Sequence, residues 1–285
     1  MEQWPAALPE RSELADVPFF ADDGFLCGPS SLATTLRHAG AKVEPRDLVP
    51  EVYLPARHGA LQVEMLAAAR RHGAVSYALD GKLESVMREV AAGNPVIVLQ
   101  DFGVWPIKVW HYAVIVGFDR ETQSVVMRSG VRERQVAPWA ALEYTWGDDH
   151  WAMVTMPPGR VPVTAEVERY TEAVIAMARV SPPAQARIAY EALLARWPRT
   201  FAAEVGLANT LYALRDVVAA EKLFRDALAQ QPDSVPVLNN LAMVVGEQGR
   251  IDEALELVAA AERSPGPYAE AIADTRRAIE ARRKR

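Results

Sequence analysis

Residues 201–233, FAAEVGLANTLYALRDVVAAEKLFRDALAQQPD, place Leu207, Ala208, Leu211, Ala220, Phe224, Ala227 and Pro232 in the order large, small, large, small, aromatic, small, proline. About 34 residues further on, Leu241, Ala242, Val245, Ala254, Val258 and Ala261 repeat that order; one period back, Met177, Ala186, Tyr190 and Pro198 repeat it in part. A repeat of this length leaves few folds open. Each period is a helical hairpin that cannot bury its apolar face alone, so successive hairpins must stack. Small residues at Ala220 and Ala254 let paired helices approach, and Phe224 fills the space between them. Three hairpins are expected, closed by a charged helix over 268–282 that suits a solubilising cap.

The segment before the repeat follows different rules. Composition changes near MPPGRVPVTAEVER, which places a boundary at about residue 160 and divides the chain into 1–160 and 167–285. Upstream of it, residues 28–39, 61–71 and 83–92 have helical spacing, and Gly40, Gly73 and Gly93 follow them. The period then changes. Short β-branched or aromatic runs at 96–99, 112–118, 125–127 and 151–156 read as strands, with a hairpin turn in GFDRETQSVV that lays Ser129 beside His111. Helices first and an antiparallel sheet after them is the α+β pattern.

Composition removes several classes of function. With 50% hydrophobic and 24% charged residues, the 285-residue chain is neither disordered nor of low complexity. A formal charge of -6, with a basic block only at Arg282, Arg283, Lys284 and Arg285, gives no footprint for nucleic acid. The longest apolar stretch, 95–118, is interrupted by Asp101 and Lys108, so no membrane span is expected. The N-terminus lacks a basic segment followed by an apolar one, which points to the cytoplasm for the chain as it stands, or to the cell envelope or periplasm if a signal has been trimmed. A single cysteine rules out an internal disulfide framework.

That cysteine is the first candidate for chemistry. Cys27 precedes Gly28 and Pro29 at the amino end of the first helix, where unpaired amides and the helix dipole favour a thiolate. Alone, it reads more readily as a buried structural thiol. His111 opens the strand WHYAVIVGFD, and an imidazole there facing the cysteine would complete a thiol–imidazole pair. The other histidines have structural readings. His38 and His72 sit near helix ends, His58 lies in a polar loop, and His150 with Asp148 and Asp149 is too contiguous to converge on one metal ion. No cofactor motif and no metal site is expected. Trp105, Trp110 and Trp151 line a peptide groove or serve as core aromatics.

Together, DVPFFADDGFLCGPSSLATTL and the downstream WHYAVIVGFD resemble the C39-like cysteine peptidases, a papain-like group, over about residues 14–158. The 34-residue repeats resemble tetratricopeptide repeats, and the combination is similar to a bacterial subgroup that joins the two. The resemblance implies a papain-like α+β domain followed by an all-α tetratricopeptide solenoid. It implies Cys27 as nucleophile and His111 as general base. Two positions depart from the family pattern. Asp22 stands where the oxyanion-hole glutamine is expected, and an ionised carboxylate cannot donate to an oxyanion. Gln100 is a substitute donor. Ser129 stands where a carboxylate or amide would orient the histidine. Asp119 is chemically better but lies about 26 Å along the strand.

Two functions are therefore expected in competition. One is a thiol-dependent peptide hydrolase whose repeats bind a protein or peptide partner. The other is an inactive peptidase-like binding module in which the repeats carry the function.

Overall fold

The computed structural model describes residues 4–5, 8–22, 26–57, 59–104, 107–146 and 150–283. They group into two compact units, Met1–Ser181 and Pro182–Arg285. The α+β architecture expected from the sequence is present in the first, and the helical repeat in the second.

In the first unit the strands are β1 (Arg11–Glu13), β2 (Tyr53–Leu54), β3 (Gly59–Ala60), β4 (Val75–Ala78), β5 (Val96–Asp101), β6 (Trp110–Asp119), β7 (Ser124–Ser129), β8 (Arg132–Pro138) and β9 (Ala152–Met156). The helices are α1 (Cys27–His38), α2 (Pro45–Val52), α3 (Gln62–Arg71), α4 (Leu83–Ala91), α5 (Trp139–Thr145) and α6 (Val167–Ala178). Seven strands form one antiparallel sheet in the order β4-β9-β5-β6-β7-β8, and β1 pairs with the far half of β6. β2 and β3 make a separate two-stranded ribbon.

The alternating residues Tyr112, Val114 and Val116 of β6 join Ile97, Leu99 and Met153 in one buried cluster with Leu32, Ala33 and Leu36 of α1. Every residue of α1 from Cys27 to Leu36 is buried, because α2 and α3 cover the side of the helix that the sheet does not. Gly28 permits the closest part of this packing: a Cβ there would lie 2.6 Å from the Cβ of Ala60 in β3. The amino end of α1 is therefore pinned between the ribbon and the sheet.

The second unit contains α7 (Pro183–Arg196), α8 (Phe201–Ala213), α9 (Val217–Gln230), α10 (Val235–Glu247), α11 (Ile251–Glu262) and α12 (Ala269–Arg283). Each packs against the next. Ala220, Phe224 and Ala227 of α9 and Ala254, Val258 and Ala261 of α11 are fully buried, at the spacing the repeat requires. Gly206 lets α8 approach Tyr190 of α7, whose ring would be 2.4 Å from a Cβ at that position.

Candidate active site

Cys27 is the first residue of α1, and it is buried with 9% of its surface exposed. Asp22 Oδ1 accepts the amide of Leu26, the residue before the helix, at 3.1 Å. The Asp22 amide donates to the Gly130 carbonyl at 3.0 Å, which ties Asp22 to the end of β7. β6 begins at Trp110, so His111 stands at the mouth of the sheet. The β6–β7 hairpin returns Ser129 to it, and His111 Nε2 and Ser129 Oγ share a hydrogen bond of 2.9 Å. One ligand-type atom from each of Asp22, Cys27 and His111 lies within 4.8 Å of the others. The four residues singled out from the sequence thus lie in one place.

Burial dominates the titration of the pair. It pushes the Cys27 thiol above its ordinary value; the Tyr112, Gly28 and Cys27 amides aimed at the sulfur pull the other way, and the Asp22 charge adds to the rise. Burial pushes the His111 imidazole below its ordinary value, against the pull of Asp22. The resting pair is accordingly a neutral thiol beside a neutral imidazole. A helix start alone predicted a thiolate; desolvation and a neighbouring carboxylate outweigh the dipole here.

Three nearby residues had no signal in the sequence. Arg128 is buried and donates to the carbonyls of Glu133, Ala15 and Val17, holding the segment before Asp22 against β7. The Tyr112 hydroxyl donates to the Ala60 carbonyl at 3.1 Å, so the residue that offers its amide to the sulfur also anchors β3. The Phe102 ring packs 5.7 Å from the His111 ring and is half exposed. A cavity of about 10 Å³ touches Asp22, Cys27, Ser30, Tyr112, Ser129 and Gly130, room for roughly one water.

The remaining candidates are placed elsewhere. Gln100 pairs directly opposite His111, but its amide nitrogen donates to Thr145 Oγ1 at 2.7 Å on α5. Asp119 pairs with Arg11 and Ser124 at the end of β6 away from His111. His38 bonds the Gly93 carbonyl at 3.0 Å and His72 bonds Glu51 at 2.8 Å, both structural contacts. Trp151 packs against the core with its ring 5.8 Å from Tyr112, and Trp110 is half exposed. His58, Trp105, Asp148 and Asp149 lie outside the described residues.

Known families match separate parts of the chain. Residues 14–148 match the Peptidase_C39 like family, while residues 179–235 and 211–279 match tetratricopeptide repeat families. No curated protein gives a significant match. A solved structure from Bacillus anthracis described as a C39-like peptidase is similar at 19% identity, covering 52% of this chain and 98% of its own, with a TM-score of 0.45. By its family matches, the chain joins a C39-like peptidase domain to tetratricopeptide repeats.

Proposed function

We propose that the N-terminal domain is a thiol-dependent peptide hydrolase and that the repeat surface binds a protein or peptide partner. The observation that carries the reading is the position of the Cys27 sulfur, at a helix start and within 4.8 Å of a His111 ring nitrogen, with His111 Nε2 hydrogen-bonded to Ser129 Oγ. From a neutral pair, His111 takes the thiol proton as the sulfur attacks the scissile carbonyl carbon. His111 then protonates the leaving amine as the C–N bond breaks, which leaves a thioester on Cys27. A water that gives its proton to His111 hydrolyses the thioester, and the thiol is restored. The amide of Cys27 is the donor left for the oxyanion, since Asp22 offers an acceptor where the family carries a donor. In this reading the peptidase domain spans residues 1–160, with the repeats beginning at 167.

A second reading is favoured by Asp22 itself, which opposes both the thiolate and a developing oxyanion. On it, the domain has lost its activity and the repeats do the work. The deciding experiment is iodoacetamide alkylation of the single thiol from about pH 4 to pH 10, in the parent and in His111→Ala, followed by a peptide-library screen. The hydrolase reading expects cleavage that Cys27→Ala abolishes and an alkylation rate that drops in His111→Ala. Histidine-independent alkylation with no cleavage, and partner affinity intact in Cys27→Ala, would establish the second reading.

A further inference from the structure

We infer that Asp22, Cys27 and His111 form a three-ligand site for a thiophilic divalent cation of the zinc class, whose occupancy and thiol attack exclude one another. The inference deepens the proposed hydrolase by giving its site a reversible off state, and its second half rests on that reading.

Among the described residues, these three are the group of histidine, cysteine and acidic side chains able to hold an ion. Their atoms lie within 4.8 Å of one another. Zinc bonds of about 2.0–2.3 Å in a tetrahedron put ligand atoms about 3.4–3.8 Å apart, so closing in by about 1 Å completes the shell. When His111 Nε2–H donates to Ser129, the lone pair is left on Nδ1 for an ion, and Ser129 supplies the outer hydrogen bond that a ligating histidine normally has. A cavity of about 10 Å³, room for roughly one water, adjoins two of the three ligands, Asp22 and Cys27.

Charge separates this chain from the family pattern. A thiolate and the Asp22 carboxylate together neutralise a divalent ion in a buried setting, whereas the family's glutamine would leave one positive charge unmatched. Sulfur and imidazole ligands select zinc and its neighbours over magnesium or calcium. Coordination displaces the thiol proton to solvent, and the sulfur lone pair that would attack a carbonyl is then committed to the metal.

The test uses the full chain, reduced and stripped of metal, titrated with cobalt(II) and then with zinc. The expected result is one cobalt per chain with a thiolate-to-metal absorption band, displaced by one equivalent of zinc. The band should vanish in Cys27→Ser, affinity should fall about tenfold in Ser129→Ala, and it should fall further in Asp22→Asn. Should a variant misfold, the unaltered chain gives a second readout: one equivalent of zinc must block alkylation of Cys27 and a chelator must restore it. No band in the parent, a band that survives in Cys27→Ser, or alkylation indifferent to zinc overturns the inference. Peptide hydrolysis in excess chelator separates the two readings. Cleavage there without zinc binding sinks the metal site alone, and zinc binding without cleavage sinks the hydrolase alone.

Discussion

His111 Nε2 and Ser129 Oγ meet at 2.9 Å across the β6–β7 hairpin, so a hydroxyl occupies the place from which a carboxylate or amide would steer this imidazole. A hydroxyl fixes the ring but adds no charge to stabilise the imidazolium that forms when the thiol gives up its proton. Ser129→Ala is expected to lower kcat/KM of peptide hydrolysis about fivefold, the worth of one neutral hydrogen bond, with KM unchanged. Steady-state kinetics on one cleaved peptide checks it; a change in KM alone would assign Ser129 to substrate binding instead.

Asp22 raises the Cys27 thiol and, on the proposed hydrolysis, would face the oxyanion with an acceptor in place of a donor. Asp22→Gln should therefore shift the alkylation profile of Cys27 to lower pH. The same change restores a donor, and it should raise hydrolysis by up to about a hundredfold. If the profile stays where it was, the carboxylate is not acting on the sulfur.

The floor of the site depends on a missing methyl group. A Cβ at position 28 would lie 2.6 Å from that of Ala60, with Met65 and Tyr112 in contact, so α1 and the β3 ribbon must move apart for Gly28→Ala to fit. Overpacking of this kind costs about 1–3 kcal/mol, and the shift carries Cys27 with it. The urea midpoint should fall and histidine-assisted alkylation should weaken together.

The sequence makes Cys27, His111 and the strands around them legible because those signals are local: a helix start, a glycine stop, a β-branched run. The Ser129–His111 pairing follows from one short hairpin. What escaped depends on distant partners. β8 reads RERQVAP, with exposed charges and no apolar alternation, and it is a strand only because β7 lies beside it. α2 contains Pro50, which reads as a stop, yet its eight residues leave little helix behind the proline. Arg128 looks like a surface charge between apolar neighbours until it meets the carbonyls of Ala15 and Val17, more than a hundred residues away. The raised thiol escaped for the same reason, since burial and Asp22 both belong to the folded site.

The repeat unit carries its own pH signature at Glu221. Burial would raise this carboxyl, but Arg250, Gln248 and Arg225 donate to it and hold it down, at about 2. A folded value below the unfolded one stabilises the native state above the unfolded pKa, and the gain is lost as pH falls through the folded value. A shift of this size corresponds to about 3 kcal/mol at full strength; with Arg250 and Arg225 39% and 45% exposed, solvent screening reduces it to about 1–2 kcal/mol. Glu221→Gln should accordingly speed amide exchange in α9 and α11 at neutral pH, and the gap from the parent should close between about pH 4.5 and pH 2. A gap that persists at the acid end would mean that the glutamine disturbs packing, and that the ion pairs do not hold these hairpins together.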